Sequence, residues 1–320
     1  MSSGVWAIFL YHLSLILLVG LKYWVLGVIF ISLLIVPNLM KDSEKPSTFS
    51  RWHENGREVF AFFGNWIKPV YVINDGFDNW DELTMETNSY HFEIDEELKV
   101  LSWNVYRGYD LNQFKISLNK LIEENNFGVI TLQEAPLNVE PFWDDFSFNS
   151  FYAPFHQVKK QTKLYNFNSS GQLTLSKYPF TKTEVFELPT VTNFLVGTEH
   201  ITKRIVTYVQ IEKDNKKIGI YNVHLENCAT SSSREKQIKV LLDKLKENND
   251  DIVILSGDFN FIFGQEKGIK LIENNGFKKL FDSKLPKLDY FFVKGTKANG
   301  FQLKASGSDH NPIGMKIKFD

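Results

Sequence analysis

The segment that most constrains this chain is Ile252-Val253-Ile254-Leu255-Ser256-Gly257-Asp258-Phe259-Asn260. Its first four residues are apolar and mostly β-branched, too few for a helix, and read as a buried strand. The chain then turns polar abruptly, with a glycine that permits close backbone approach and an Asp and Asn two residues apart. At a period of two, those side chains point the same way if strand geometry persists that far. Gly-Asp and Asp-x-Asn also end strands simply by making turns. The choice between a turn and a site therefore depends on whether the rest of the chain supplies partners.

The chain has 320 residues, enough for a large core, and reads as one domain plus an appendage. Its formal net charge of −2 gives no global pull toward a polyanion, although a local basic groove is compatible with it. Cys228 is the single cysteine, which excludes an intrachain disulfide and any zinc site built on several cysteines.

From Val5 to Met40 the sequence is almost entirely apolar, interrupted mainly by His12 and Lys22. This stretch predicts an N-terminal transmembrane segment within residues 1–40, either one long helix or two short ones turning at Gly20-Leu21-Lys22. Lys41, Lys45, Arg51 and Arg57 follow it, and the positive-inside rule then places the rest of the chain on the cytoplasmic side. Residues 41–97 read as a juxtamembrane region and an acidic linker. Arg51 to Val72, with Trp52, Phe60 and Trp66, suits either an interfacial helix or one packed on the soluble domain. Asp75 to Glu97 carries acids and no Lys or Arg, as a solvated linker does.

Residues 98–320 have the texture of a regular α/β domain. Val100 to Val105 and Gly128 to Glu134 read as strands around a helix capped by Asp110, whose apolar face is Leu111, Phe114, Leu118, Leu121 and Ile122. Phe142 to Phe167 is crowded with aromatics and reads as irregular sandwich strands or as a rim for an amphiphilic substrate. Gly171 to Pro179 resumes a strand. Arg204 to Glu212 and Ile218 to Leu225 read as two strands joined by a polar turn. Arg234 to Glu247 is an amphipathic helix leading into the Asp258 strand, and Glu266 to Asn275 is helical. Leu288 to Val293, Phe301 to Lys304 and Ile313 to Phe319 complete the strands.

Polar residues recur where these strands end: Asn104, Glu134, His224, Asp258, Asn260, Asp289, Asp309 and His310. Loops at one edge of a packed sheet can gather such residues into one cleft. Glu134 and Asp309, with Asn104, are oxygen donors suited to a hard cation such as Mg²⁺. Two histidines and a further Asp suit phosphoryl chemistry, in which a base activates water and a cation or amide meets the developing charge.

Ser102-Trp103-Asn104-Val105-Tyr106-Arg107-Gly108, Leu132-Gln133-Glu134, Leu175 to Pro179, Asn222-Val223-His224, Gly257 to Asn260, Leu288-Asp289-Tyr290 and Ser308 to Pro312 occur in an order that resembles the endonuclease/exonuclease/phosphatase, or DNase I-like, superfamily. The resemblance spans roughly Lys99 to Asp320. It implies a four-layer αββα sandwich, two packed mixed β-sheets flanked by helices; the transmembrane segment and the acidic linker lie outside the resemblance. It implies metal ligation by Glu134 with Asn104 and Asp309, and Mg²⁺ as the ion with Mn²⁺ as its alternative. Catalytic work would fall to His224, Asp258, Asn260, Asp289 and His310, and substrate contact to Asn104, His224 and Asn260. A second acid found beside the phosphate-side histidine in some members is not identifiable, which leaves the partner of His224 open.

The expectation is a membrane-anchored, Mg²⁺-dependent phosphodiesterase or phosphatase, placed at a bacterial inner membrane with its catalytic domain cytoplasmic. Its partners are the membrane and a phosphoester substrate. Anchoring and the aromatic stretch favour a phospholipid headgroup, whereas family breadth and Lys159, Lys160, Lys163 and Lys203 favour nucleic acid. The alternative is a non-catalytic, membrane-tethered binding protein that retains the fold, which should have lost some of the polar positions.

Overall fold

The computed structural model describes residues 72–73, 84–94, 96–105, 110–136, 147–158, 169–189, 204–226, 231–261, 267–280 and 288–319. Its elements in chain order are β1 (Val72–Ile73), β2 (Met85–Thr87), β3 (Glu97–Asn104), α1 (Leu111–Asn125), β4 (Val129–Pro136), β5 (Asn149–Val158), β6 (Ser169–Ser176), β7 (Lys182–Leu188), β8 (Arg204–Lys213), β9 (Lys216–His224), α2 (Ser231–Leu245), β10 (Ile252–Asp258), α3 (Lys267–Asn274), β11 (Lys278–Lys279), β12 (Asp289–Lys294), β13 (Ala298–Gln302) and β14 (Ile313–Lys318). The strands form two mixed sheets. One runs β1-β5-β6-β4-β3-β14-β13, with β2 also on β5, and the other runs β11-β12-β10-β9-β8-β7.

The period of two explains the layers. On β10, Ile252 and Ile254 enter the core between the sheets with Ile218, Ile220, Val100, Val129 and Met315. Val253 and Leu255 face the other way and pack with Ile238, Leu241 and Ile272 of α2 and α3. Being buried on both faces, β10 has to be apolar throughout its first half. On the outer face of the larger sheet, Leu101, Trp103, Ile130 and Leu132 pack with Phe114, Leu118 and Leu121 of α1. Helix, sheet, sheet and helices therefore form the expected four layers.

Two crossovers then decide where the strand ends lie. β3-α1-β4 and β9-α2-β10 each return parallel to their first strand, so both strands of a pair finish at the same edge. The registers pair Asn104 with Gln133 and Asp258 with His224. β12 runs antiparallel to β10 with Asp289 opposite Asp258, and β14 runs antiparallel to β3 with Ile313 opposite Ser102. Asp289 and the loop preceding Ile313 consequently reach that same edge.

Toward this edge the layer between the sheets changes from hydrocarbon to hydrogen-bonded polar groups. Thr131 Oγ1 and Ser256 Oγ meet at 3.0 Å, and Gln133 Nε2 donates to Asn222 Oδ1 at 2.7 Å. Asn222 Nδ2 donates back to the Leu132 and Leu173 carbonyls at 3.0 and 3.2 Å. Gln172 Nε2 donates to the Ile205 carbonyl at 2.8 Å. All of these side chains are buried.

The structure corrects the membrane component of the expected fold. The three described helices contain 15, 15 and 8 residues. At 1.5 Å per residue none approaches the ~30 Å of a hydrocarbon core. Among the described residues no helix is long and apolar enough to cross a membrane. Residues 1–40, on which the transmembrane reading was based, lie outside the described residues, as do the stretch 51–71, Tyr106 to Gly108, Cys228 and Lys159, Lys160, Lys163 and Lys203. Among the described residues the fold is therefore the αββα sandwich, with no helix long and apolar enough to cross a membrane. The anchor, the membrane as a partner and the placement at an inner membrane with a cytoplasmic domain are withdrawn with it.

Of the two readings of the aromatic stretch, the irregular sandwich strand is the one found for its described part: β5 breaks register with β6 between Pro154 and His156, and Phe148, Phe151 and Tyr152 are buried in the sandwich. Other elements were not visible in the sequence. Met85–Thr87, read as acidic linker, adds a short strand to β5. Lys182–Leu188 is an edge strand whose charged residues conceal its period.

Gly257 is required where β10 approaches β9 one residue before Asp258. Its φ of +139° is one that side-chain-bearing residues rarely adopt, and a Cβ there would collide with the Val223 carbonyl oxygen. Gly257→Ala should cost at least ~2 kcal/mol, read as a lower urea midpoint with little change in m-value.

Candidate active site

Each polar strand end owes its place to a local backbone device. Asn104 is the last residue of β3, and its Nδ2 donates across the sheets to Asp258 Oδ2 at 3.1 Å. Glu134 follows inward-facing Gln133, so strict alternation would turn it toward α1. Instead the β4–β6 register shifts between Leu132 and Ala135, and Glu134 adopts φ +56°. This bulge turns the carboxylate inward, where Asn104 Nδ2 lies 3.5 Å from Oε1. β10 ends at Asp258, and Asn260 then takes φ +53°. The Asn260 backbone N–H caps Asp258 Oδ1 at 2.9 Å, and its Nδ2 donates to the Leu225 carbonyl at 2.9 Å. Two residues of the constellation thus occupy left-handed backbone, where strain concentrates at functional sites.

The loop before β14 is held equally firmly. Ser308 Oγ donates to the Asn104 carbonyl at 2.7 Å and accepts from the His310 N–H at 3.1 Å, while Trp103 Nε1 donates to the His310 carbonyl at 2.9 Å. His310 Nδ1 and Asp289 Oδ2 are hydrogen-bonded at 2.7 Å. His310 Nε2 lies 3.9 Å from Asp258 Oδ2 and 4.0 Å from Asp309 Oδ1. His224 Nε2 lies 3.8 Å from Glu134 Oε1 and 3.7 Å from Asp258 Oδ2. Asn104, Glu134, His224, Asp258 and Asn260 are buried, and Asp289, Asp309 and His310 are partly exposed above them. All eight sequence-predicted residues therefore meet at one edge of the sandwich, whereas a fold kept only for binding should have lost some of them.

Two groups of the site are shifted from their ordinary values. Burial pushes the Asp258 pKa up to about 7; Asp289 adds to the rise, and the His310 charge and the bonds from Asn260 and Asn104 oppose it. Burial alone would lower the His310 pKa. The charge and hydrogen bond of Asp289, with Asp258 and Glu134 beyond, outweigh burial and push it up to about 10. Asp289 therefore favours the protonated form of the His310 ring.

Ligand atoms of Asp258, Asp289 and His310 lie within 4.8 Å of one another, a cluster consistent with a divalent metal cofactor. The donor set fits a hard cation. It is rich in carboxylate oxygen, and buried Asp289 Oδ1 has no hydrogen-bond partner among the described residues. Because His310 commits Nδ1 to Asp289, an ion inside that trio would compete with the 2.7 Å bond. Glu134 and Asp309 offer further carboxylates, the first 3.8 Å from His224 Nε2 and the second 4.0 Å from His310 Nε2.

Two participants were missed in the sequence. Arg204 and Glu226, 4% and 2% exposed, form a two-pronged ion pair beside His224, with Nε–Oε2 and Nη2–Oε1 both 3.2 Å. The only trace of Glu226 is its position two residues after His224. Arg204 at the head of a strand has no local signal at all.

A mixed-sheet αββα sandwich with carboxylates and paired histidines at one edge defines a metal-dependent hydrolase of phosphoric esters. The endonuclease/exonuclease/phosphatase family pattern matches residues 101–310, well over half of the chain, and the protein belongs to that family. Its fold is similar to that of an endonuclease/exonuclease/phosphatase from Beutenbergia cavernae, with TM-score 0.56 and 15% identity over 70% of this chain and 72% of that one. A family protein from Leptotrichia buccalis aligns with TM-score 0.53 and 20% identity, covering 69% of this chain and all of that one. A functionally unknown conserved protein from Enterococcus faecalis aligns with TM-score 0.51 and 18% identity over 69% of this chain and 100% of its own. No curated protein matches the sequence significantly.

Glu134 provides a test of strain separate from chemistry. Left-handed backbone costs a side-chain-bearing residue ~1–2 kcal/mol relative to Gly. Glu134→Gly should therefore unfold at higher urea than Glu134→Ala, by ~1 kcal/mol, with both equally inactive. An Ala variant as stable as the Gly variant would remove the strain from the account.

Proposed function

We propose that the protein is a Mg²⁺-dependent phosphodiesterase that hydrolyses its substrate by in-line attack of water. The observation that carries this reading is the meeting of Glu134, Asp258 and Asp309 with the Asp289–His310 pair in one cleft. When bound through Glu134, Asn104 and Asp309, the metal would polarise a phosphate oxygen and offset the surrounding carboxylates.

The remaining roles belong to the side chains. Asp258 is fixed by the Asn104 amide and the Asn260 N–H, and a buried carboxylate of raised basicity is suited to accept the proton of the attacking water. Asp289 holds His310 as a cation with Nε2 toward Asp258, where it meets negative charge developing on the phosphoryl group. His224, between Glu134 and Asp258, occupies the phosphate side. Asn260 spends one amide hydrogen on Leu225 and keeps the other for a phosphate oxygen.

Charge favours a diester over a monoester. Among the described residues, the carboxylates of Glu134, Asp258, Asp289 and Asp309 surround His310, and the nearby Arg204 guanidinium is already paired with Glu226. Even with a divalent ion, such a site suits a singly charged diester better than a dianionic monoester. With the anchor withdrawn, the argument for a lipid headgroup loses its main support, and a nucleic-acid diester stands at least level with it.

Asp258→Asn should lower kcat for bis(p-nitrophenyl) phosphate in Mg²⁺ by ~10²–10⁴, and EDTA should abolish turnover of the wild-type protein. Plasmid DNA, phospholipid vesicles and p-nitrophenyl phosphate form the substrate panel, with the diesters cleaved faster. Preferential cleavage of the monoester would overturn the diester assignment. An unaffected, folded Asp258→Asn variant would overturn the mechanism.

A further inference from the structure

Arg204 Nη1 lies 3.4 Å from His224 Nδ1 and 3.5 Å from Nε2. These two atoms flank Cε1, so a nitrogen equidistant from both in the ring plane would press well inside van der Waals contact with Cε1. Nη1 therefore lies over the face of the imidazole. A guanidinium nitrogen held against an aromatic face restricts the plane of the ring and leaves its edge to other partners.

The guanidinium is itself fixed. Its Nε and Nη2 grip the two oxygens of Glu226 at 3.2 Å each, a fork that sets its plane. Glu226 is held in turn from α2: its N–H donates to Gln237 Oε1 at 3.1 Å, and Arg234 Nη1 donates to its carbonyl at 3.4 Å. The chain of fixation runs from α2 through Glu226 and Arg204 to the face of His224, and ends with Nε2 between Glu134 and Asp258.

We propose that Arg204, clamped by Glu226, is a positioning residue that sets the plane and Nε2 direction of His224. Glu226 then acts as the acid behind the phosphate-side histidine, through an arginine instead of by direct contact. The proposal rests on the reading that His224 works at the phosphate. A buried ion pair of this kind adds little net stability over well-packed apolar residues, so a positioning role beside the site is consistent with its presence there.

Arg204→Lys keeps the charge but loses the planar fork, and Glu226→Gln keeps the shape but weakens the grip. Arg204→Met/Glu226→Met removes both charges together and provides a folded alternative if a single variant, left with an unpaired buried charge, fails to fold. The direct readout is the ¹⁵N imidazole spectrum of His224. One sharp tautomer pattern is expected in the wild-type protein, and exchange-broadened or mixed signals in the variants. The second readout is bis(p-nitrophenyl) phosphate hydrolysis in Mg²⁺, where kcat should fall about 10- to 100-fold with KM little changed. On a His224→Ala background the Arg204→Lys change should add no further loss. An unaltered His224 spectrum in the folded variants, or an equal fold-loss on both backgrounds, would overturn the proposal. If His224→Ala alone hydrolyses at the wild-type rate, the phosphate role of His224 fails, and the spectrum still decides whether Arg204 orients the ring.

Discussion

The structure depends on a layer of polar contacts that joins the two sheets beneath the cleft. Apolar side chains hold the far half of the sandwich together, but they do so without directional preference. Thr131 on Ser256, Gln133 on Asn222 and Asn104 on Asp258 are directional, and each spans from one sheet to the other. Making one of these bonds contributes only ~1 kcal/mol net, yet losing one partner leaves a buried polar group at a cost of ~1–3 kcal/mol. That asymmetry makes the layer a register device: a one-residue slip of either sheet would strand all of its members at once.

The same layer serves as the floor of the site. Asn104 and Asp258 are its last rung, and the bulged Glu134 and left-handed Asn260 are where the backbone gives up regularity to finish it. Confining Glu134, Asp258, Asp289 and Asp309 to one edge is unfavourable in isolation, and burying Asp258 there, with Asp289 beside it, pushes the Asp258 pKa up. A divalent cation and an imidazolium are the natural answer to it. Rigid scaffolding and electrostatic frustration therefore occur in the same few residues, as expected where function competes with stability.

Much of this was legible in the sequence because the strand and helix periods are local properties. The β10 pattern, the α1 face of Phe114, Leu118 and Leu121, and the polar residues at strand ends could be read from spacing alone. The gathering of those ends was suggested by their common position at strand ends and strengthened by family resemblance, but it could not be fixed locally, since the parallel registers of β3 with β4 and β9 with β10 are non-local. The inward turn of Glu134 was hidden because a bulge has no compositional mark beyond one acid before Ala-Pro. Arg204 and Glu226 were missed because a buried ion pair bridging two strand ends looks, in sequence, like two surface charges. The apolar N-terminus shows the opposite limit: hydropathy read as a membrane span, and no described helix bears it out.

The central claim is that this edge is a metal-and-phosphate cleft with Glu134 at the metal. Anomalous diffraction from a crystal of the protein soaked in Mn²⁺ tests it most directly. The account predicts a peak at coordination distance, ~2.1–2.3 Å, from a Glu134 carboxylate oxygen, with the Asp289–His310 hydrogen bond intact. A cleft without a peak, or a peak that displaces Asp289 from His310 and leaves Glu134 uncoordinated, would contradict it.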